Sequence, residues 1–258
     1  MTHLEDLEQA GLDAVDRFID TWNSRDAESW AGSLHFPHVR PSPIGEIRVA
    51  PNADDYIAMA NVNYQKTIDS GWDHSEWDYK HVLHTSPRKI HVAGQWSRYD
   101  SDGNVTLTTP IVYICTKVDG KWGIQSRFGS DYVGEDFDNT ELMGRGLALV
   151  QDYINQHNSG VSDAAAELLN YPHFEINVGE LDITDSISDF ERVEVTYQLE
   201  NLMAVQTGQH SMNAAVDVTV SSAAGSRLMQ GVVNINNRDG HLGIQAWSLL
   251  DPNEPDEV

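Results

Sequence analysis

Leu4, Leu7, Gly11, Val15, Phe18 and Trp22 recur at steps of three and four, with Asp and Glu between them. That period predicts one amphipathic helix of about five turns. Ser24 or Asp26 can cap a second, short helix carrying Ala27, Trp30 and Ala31. Pro37 should end it, because Pro has no amide donor and constrains the residue before it. His38 to Arg40 then reads as a short strand, which Pro41 and Pro43 confine to an edge or keep brief. Asn52 is placed to cap a third helix with Tyr56, Met59, Ala60 and Tyr64 inward and Gly71 at its end. From Trp72 the period changes. Residues 76–84, 89–99, 105–118 and 121–130 are rich in β-branched and aromatic side chains. Turn residues at 85–87, 101–104 and 119–120 separate them, which predicts an antiparallel meander.

This programme occurs twice. Leu34-His35-Phe36-Pro37-His38-Val39-Arg40 returns as Leu169-Asn170-Tyr171-Pro172-His173-Phe174-Glu175. At the same displacement Leu7, Gly11, Val15, Ile19 and Asn23 meet Leu142, Gly146, Val150, Ile154 and Asn158. Asp119-Gly120 before Gly123-Ile124-Gln125 returns as Asp239-Gly240 before Gly243-Ile244-Gln245. Self-similarity this long predicts two copies of one domain. In the second copy a helix is expected over 141–157, Ser162 should cap a helix running to Leu169, and the Pro172-His173 strand follows. The second copy is shorter where the third helix stood, leaving 184–190 for a helical turn or two. The expected organisation is a first domain over 1–133 holding a ligand pocket and a structural second domain over 140–251. An acidic tail, 252–258, should be frayed.

Composition narrows the partners. A formal net charge of −24 disfavours nucleic acid and anionic membranes. Cys115 is the single cysteine, so neither a disulfide framework nor a cysteine zinc site can form. Residues 1–30 carry no basic start followed by an apolar run, and no 18-residue apolar stretch occurs. The expectation is a soluble cytoplasmic protein without membrane attachment.

Helix, short helix, strand, helix and long meander resemble the nuclear transport factor 2-like superfamily. Its members include ketosteroid isomerase, SnoaL-type cyclases and scytalone dehydratase. The residues carrying the resemblance are 18–26, Phe36-Pro37-His38-Val39-Arg40, 98–103 and Asp119-Gly120-Lys121-Trp122-Gly123-Ile124-Gln125. The resemblance implies an α+β fold: two tandem cones, each with N-terminal helices packed on a curved antiparallel sheet around a pocket. It also implies sheet-to-sheet association, which two copies can satisfy as an intrachain pseudo-dimer, with homo-oligomers a further option. It does not fix an activity, because this fold hosts several chemistries and proteins with none.

His74 and His38 are the candidate catalytic residues. His74 follows the third helix, where dehydratase-like relatives place a catalytic His oriented by an Asp at the end of the first helix. Asn23 stands at that Asp position here and cannot stabilise an imidazolium by charge. His38 is repeated as His173, which points to a role in folding shared by both copies. The general base of ketosteroid isomerase would fall at Ser42, Pro43 or Ile44, and the nearest carboxylate is Glu46. Arg40, Arg98 and Arg127 are candidate anion partners. His35/His38 and His81/His84 have a spacing that points rings to opposite faces of a strand, so no metal site is expected. No dinucleotide or phosphate-cradling glycine loop occurs, and no cofactor is expected.

Trp22, Trp30, Trp72, Trp77, Trp96 and Trp122 fall in the first copy, against Trp247 alone in the second. A pocket lined by Trp and Tyr suits a small apolar or aromatic molecule. Trp22, Asn23, Arg40, Trp72, Trp77, Tyr113 and Arg127 are the expected ligand-binding residues. Two readings stand. One is a small-molecule-binding protein that turns its ligand over by cofactor-free acid–base chemistry. The other is a non-catalytic binding or assembly module.

Overall fold

The computed structural model describes residues 3–41, 47–134 and 136–255. The first half runs α1 (His3–Asn23), α2 (Ala27–Ala31), β1 (Leu34–Arg40), β2 (Arg48–Ala50), α3 (Ala53–Asp69), β3 (His74–Thr85), β4 (Lys89–Tyr99), β5 (Val105–Val118) and β6 (Lys121–Gly129). The second half repeats it with α4 (Thr140–Ser159), α5 (Ser162–Ala166), β7 (Leu169–Ile176), β8 (Leu181–Thr184), β9 (Thr196–Thr207), β10 (Ser211–Ser222), β11 (Gly225–Arg238) and β12 (His241–Leu250). Only a 3₁₀ turn, Ile187–Asp189, occupies the place of α3. Each half forms one six-stranded sheet, ordered β2-β1-β6-β5-β4-β3 and β8-β7-β12-β11-β10-β9. The fold is α+β, two tandem cones.

Local chemistry explains the boundaries. Asp26 accepts from the Glu28 amide and caps α2, and Asn52 accepts from the Asp55 amide and caps α3. The Asp119-Gly120 and Asp239-Gly240 pairs both have positive φ, as a two-residue hairpin turn requires. Gly11 and Gly146 let the long helices lie on the sheets. A Cβ on Gly11 would sit 2.6 Å from Ile90 Cγ2, and one on Gly146 would collide with Met212 Sδ.

Three expectations are corrected. Pro37 and Pro172 lie inside β1 and β7 rather than before them. They are accommodated where the parallel pairing with β6 and β12 slips register, so the missing amide interrupts no regular ladder. The short strand is therefore internal, with β2 or β8 outside it. Second, α5 ends at Ala166 and is preceded by Val161 with no side-chain cap. Leu169, expected at its end, instead pairs with Ile244 in the sheet. Third, the tail is tied back as far as it is described, with Ser86 Oγ donating to Glu254 Oε1 at 2.5 Å.

The two sheets pack face to face. Val39, Val112, Ile114 and Phe128 of the first half meet Phe174, Ile176, Val232 and Ala246 of the second in one buried cluster. Each fully buried aliphatic or aromatic side chain there stabilises by about 1.5–3 kcal/mol. Polar groups are matched across the same seam. Lys89 Nζ donates to the Ile176 and Leu249 carbonyls at 2.6 and 2.8 Å, and Asn213 Nδ2 donates to the Phe128 carbonyl at 2.7 Å. The carboxylate of Asp131, just past β6, accepts from the Gln209 and His210 amides and the Ser211 hydroxyl, pinning the connection. The halves thus form a pseudo-dimer within one chain.

Candidate functional site

Between its helices and its sheet the first half encloses a cavity of about 280 Å³. Its wall is aromatic: Phe18 and Trp22 from α1, Trp30 from α2, Tyr56 from α3 and Trp96 from β4. Into this wall project Arg40 from β1, Arg48 from β2, Arg98 from β4 and Arg127 from β6. No carboxylate and no histidine belongs to its described lining. A chain with only 16 Lys and Arg against 40 Asp and Glu has gathered four of the former around one space.

The arginines form a gradient of burial. Arg127 is 6% exposed and lies over the rings of Phe18 and Trp30, at 4.8 and 5.8 Å. Arg98 is half-buried over Trp22 and Trp96, at 5.3 and 5.6 Å. Arg40 is half-buried, and Arg48 is exposed at the mouth. Guanidinium planes stack on aromatic faces and are weakly hydrated, so such walls hold Arg where Lys would be costly. Burial, then Arg127 and Arg48, pushes Arg40 down to about 9. Burial, then Arg127, pushes Arg98 down to about 10. Both still carry charge at neutral pH, each repelled by Arg127. The Nε atoms of Arg40 and Arg98 are buried without an acceptor among the described residues. Arg40 and Leu107 also border an open groove outside the cavity, with Val105 and Tyr132.

His38 explains the pose of Arg127. Its Nδ1 meets the Ile124 carbonyl at 3.1 Å, which places the proton there, and its Nε2 lone pair accepts from Arg127 Nε at 3.3 Å. Arg127 Nη2 also donates to the Tyr56 hydroxyl at 3.2 Å. Burial, then the Arg127 charge, holds His38 well below the usual imidazole range. His38 therefore positions an arginine, and its one basic nitrogen is occupied. His173 keeps the same carbonyl bond, to Ile244 at 3.1 Å, with no arginine to receive.

Of the sequence-predicted residues, the structure brings Trp22, Arg40 and Arg127 to the cavity. His74 stands elsewhere. Its Nδ1 lies 2.9 Å from Asp73, its Nε2 lies 3.6 Å from Glu76, and its ring stacks on Tyr99. Asn23 spends both ends of its amide on the Ser75 backbone, as Asn158 does on Tyr197. Trp72 packs behind Trp22, and both indoles donate to Ser75 Oγ. Trp77 packs edge-on against Tyr113, which is fully buried behind Phe18. The base position at residues 42–44, and Glu46 after it, lie outside the described residues. Arg48 was not anticipated. Its signal was its alignment across β1–β2, visible only once the strand is known.

The matching space between helix and sheet in the second half is nearly closed. Its cavity is about 10 Å³ and its described lining is apolar apart from two tyrosines and a tryptophan. In the repeat Glu175 stands where Arg40 does, and Trp247 stands where Arg127 does. Trp247 fills the room, packing against Tyr153 and Tyr197. Among the described residues no three His, Cys, Asp or Glu are grouped to hold a metal ion, and no helix is long and apolar enough to cross a membrane.

Residues 12–130 match the family model described as NTF2-like protein (DUF6841). No curated protein matches the chain. Among solved structures it is similar to a cystatin-like domain of unknown function from Nostoc punctiforme (15% identity, 58% of this chain and 97% of that one, TM-score 0.42). It is also similar to an NTF-2 like protein of unknown function from Shewanella oneidensis (18% identity, 48% and 98%, TM-score 0.40). A third is Aln2 from a Streptomyces species (12% identity, 50% and 92%, TM-score 0.40). Residues 12–130 of the chain are thus similar to an NTF2-like family, and residues 140–250 repeat the same order of elements without the third helix.

Proposed function

We propose that the first domain binds a small aromatic anion and that the second domain is its structural partner. The observation that carries this reading is the set of four arginines lining an aromatic-walled cavity with no carboxylate in its described lining. Desolvated charge without a counter-charge is expensive, and an anionic ligand supplies one. The aromatic wall adds stacking and apolar contact for a flat ring. Binding without turnover is the simpler reading, because His38 is committed to Arg127 and His74 lies outside the cavity lining. The 10 Å³ remnant and its filling by Trp247 support a structural second domain.

Calorimetric titration with benzoate and neutral benzamide tests this. Benzoate should bind and raise the melting temperature, by about 2.7 kcal/mol of stabilisation at a hundredfold excess over Kd. Benzamide should not. Arg127→Met should remove benzoate binding. Equal binding of acid and amide would end the proposal.

A further inference from the structure

We propose that the ligand of this cavity is a compact aromatic dianion, a single ring bearing two carboxylates or one phosphate monoester. The inference rests on the anion-binding reading and narrows it by charge and size.

The first support is strand register. Arg40 of β1 lies directly opposite Arg48 of β2, and both line the cavity. Like charges facing each other across an antiparallel pair repel. The strands gain nothing structural from that placement. As a ligand clamp it makes sense, because two guanidinium forks side by side can share the oxygens of one anionic group.

The second support lies deeper. Arg127 gives hydrogens to His38 and Tyr56, which fix its plane. A guanidinium has five such hydrogens, so the outer edge of the fork is left for a ligand. Arg98 stands on the β4 wall, and its buried Nε, like that of Arg40 on β1, has no acceptor among the described residues. The mouth pair and the inner pair therefore make two donor groups in one space. A monoanion would satisfy one pair and leave the other without a counter-charge from the described lining. A dianion satisfies both.

Size sets the rest. An apolar cavity of about 150 Å³ holds benzene. The 280 Å³ here leaves room for one ring and its charged substituents. No carboxylate in the described lining would repel the second charge.

The test is titration of the full chain at low ionic strength with benzoate, phthalate and phenyl phosphate, in the wild type and in Arg48→Gln. Phthalate or phenyl phosphate should bind about tenfold more tightly than benzoate, the scale of one further charge-assisted contact. The tighter of the two identifies whether the second charge is a separate carboxylate or resides on one phosphate. Arg48→Gln should weaken the dianions at least about threefold more than it weakens benzoate, with a cooperative melting transition no lower than that of the wild type confirming that the variant folds. If benzoate binds and neither dianion improves on it, the dianion inference fails alone. If Arg48→Gln weakens all ligands equally, the mouth pair acts only as a diffuse field and the inference likewise fails. If no anion binds, the underlying anion-binding reading fails too.

Discussion

Arg40→Met should make the free protein more stable while removing its response to anions. Arg40 keeps its charge in a half-buried position beside Arg127 and opposite Arg48. Its pKa falls from the ordinary guanidinium range to about 9, and each pH unit corresponds to about 1.4 kcal/mol, so the charge costs at most about 5 kcal/mol. Water reaching the half-exposed side chain recovers much of that. Met keeps most of the aliphatic stem, and the lost head faces the cavity, so the packing penalty stays below about 1.5 kcal/mol. The net expectation is a gain of about 1–2 kcal/mol, or roughly 2–8 °C in melting temperature for a chain of this size. Differential scanning calorimetry at low salt and neutral pH reads it directly. High salt should narrow the gap, because screening relieves the wild type more than the variant. A fall of several degrees on substitution would refute the reasoning. It would mean that Arg40 is a paired structural residue and that the cavity carries less uncompensated charge than its lining indicates.

Three further outcomes are expected. Phe174→Ala, at a fully buried position between the sheets, should cost about 3–5 kcal/mol by urea unfolding, since the seam cannot collapse around the void. Stability should fall as pH drops below about 6.5, because burial holds His38, His84 and His91 below that value and the unfolded chain then binds more protons. His91→Asn should flatten that slope in urea titrations between neutral and mildly acid pH. Asn is the residue standing at the matching seam position, Asn213, where it bonds the Phe128 carbonyl. His74→Ala should leave anion affinity unchanged and shift stability by no more than about 0.5 kcal/mol, as an exposed substitution does.

The repeat was written in the sequence at every level that local chemistry controls. Helix period, the Asn52 and Asp26 caps, the Asp-Gly turns and the paired glycines Gly11 and Gly146 all depend on neighbours within a few residues or on one close approach. Two copies of a unit with helices followed by an antiparallel meander therefore follow from the residues, and the cone shape from the family resemblance. The roles of repeated polar residues were partly legible for the same reason. Asn23 and Asn158, and His38 and His173, recur because both cones need the same backbone acceptors and donors satisfied.

The site was decided elsewhere. Arg40, Arg98 and Arg127 could be named from sequence as candidate anion partners, but not their convergence with one another and with Arg48, because they come from β1, β4, β6 and β2, brought together only by the strand order of the sheet. Convergence depends on register, and register at Pro37 is set by a slip that no local rule predicts. The fate of each cone turned on the same kind of fact. Arg127 and Trp247 occupy matched positions, but only the packed structure reveals that one borders a space and the other fills it. Short-range propensity specified the architecture of this protein. The long-range pairing of strands placed its positive charge where a ligand can reach it.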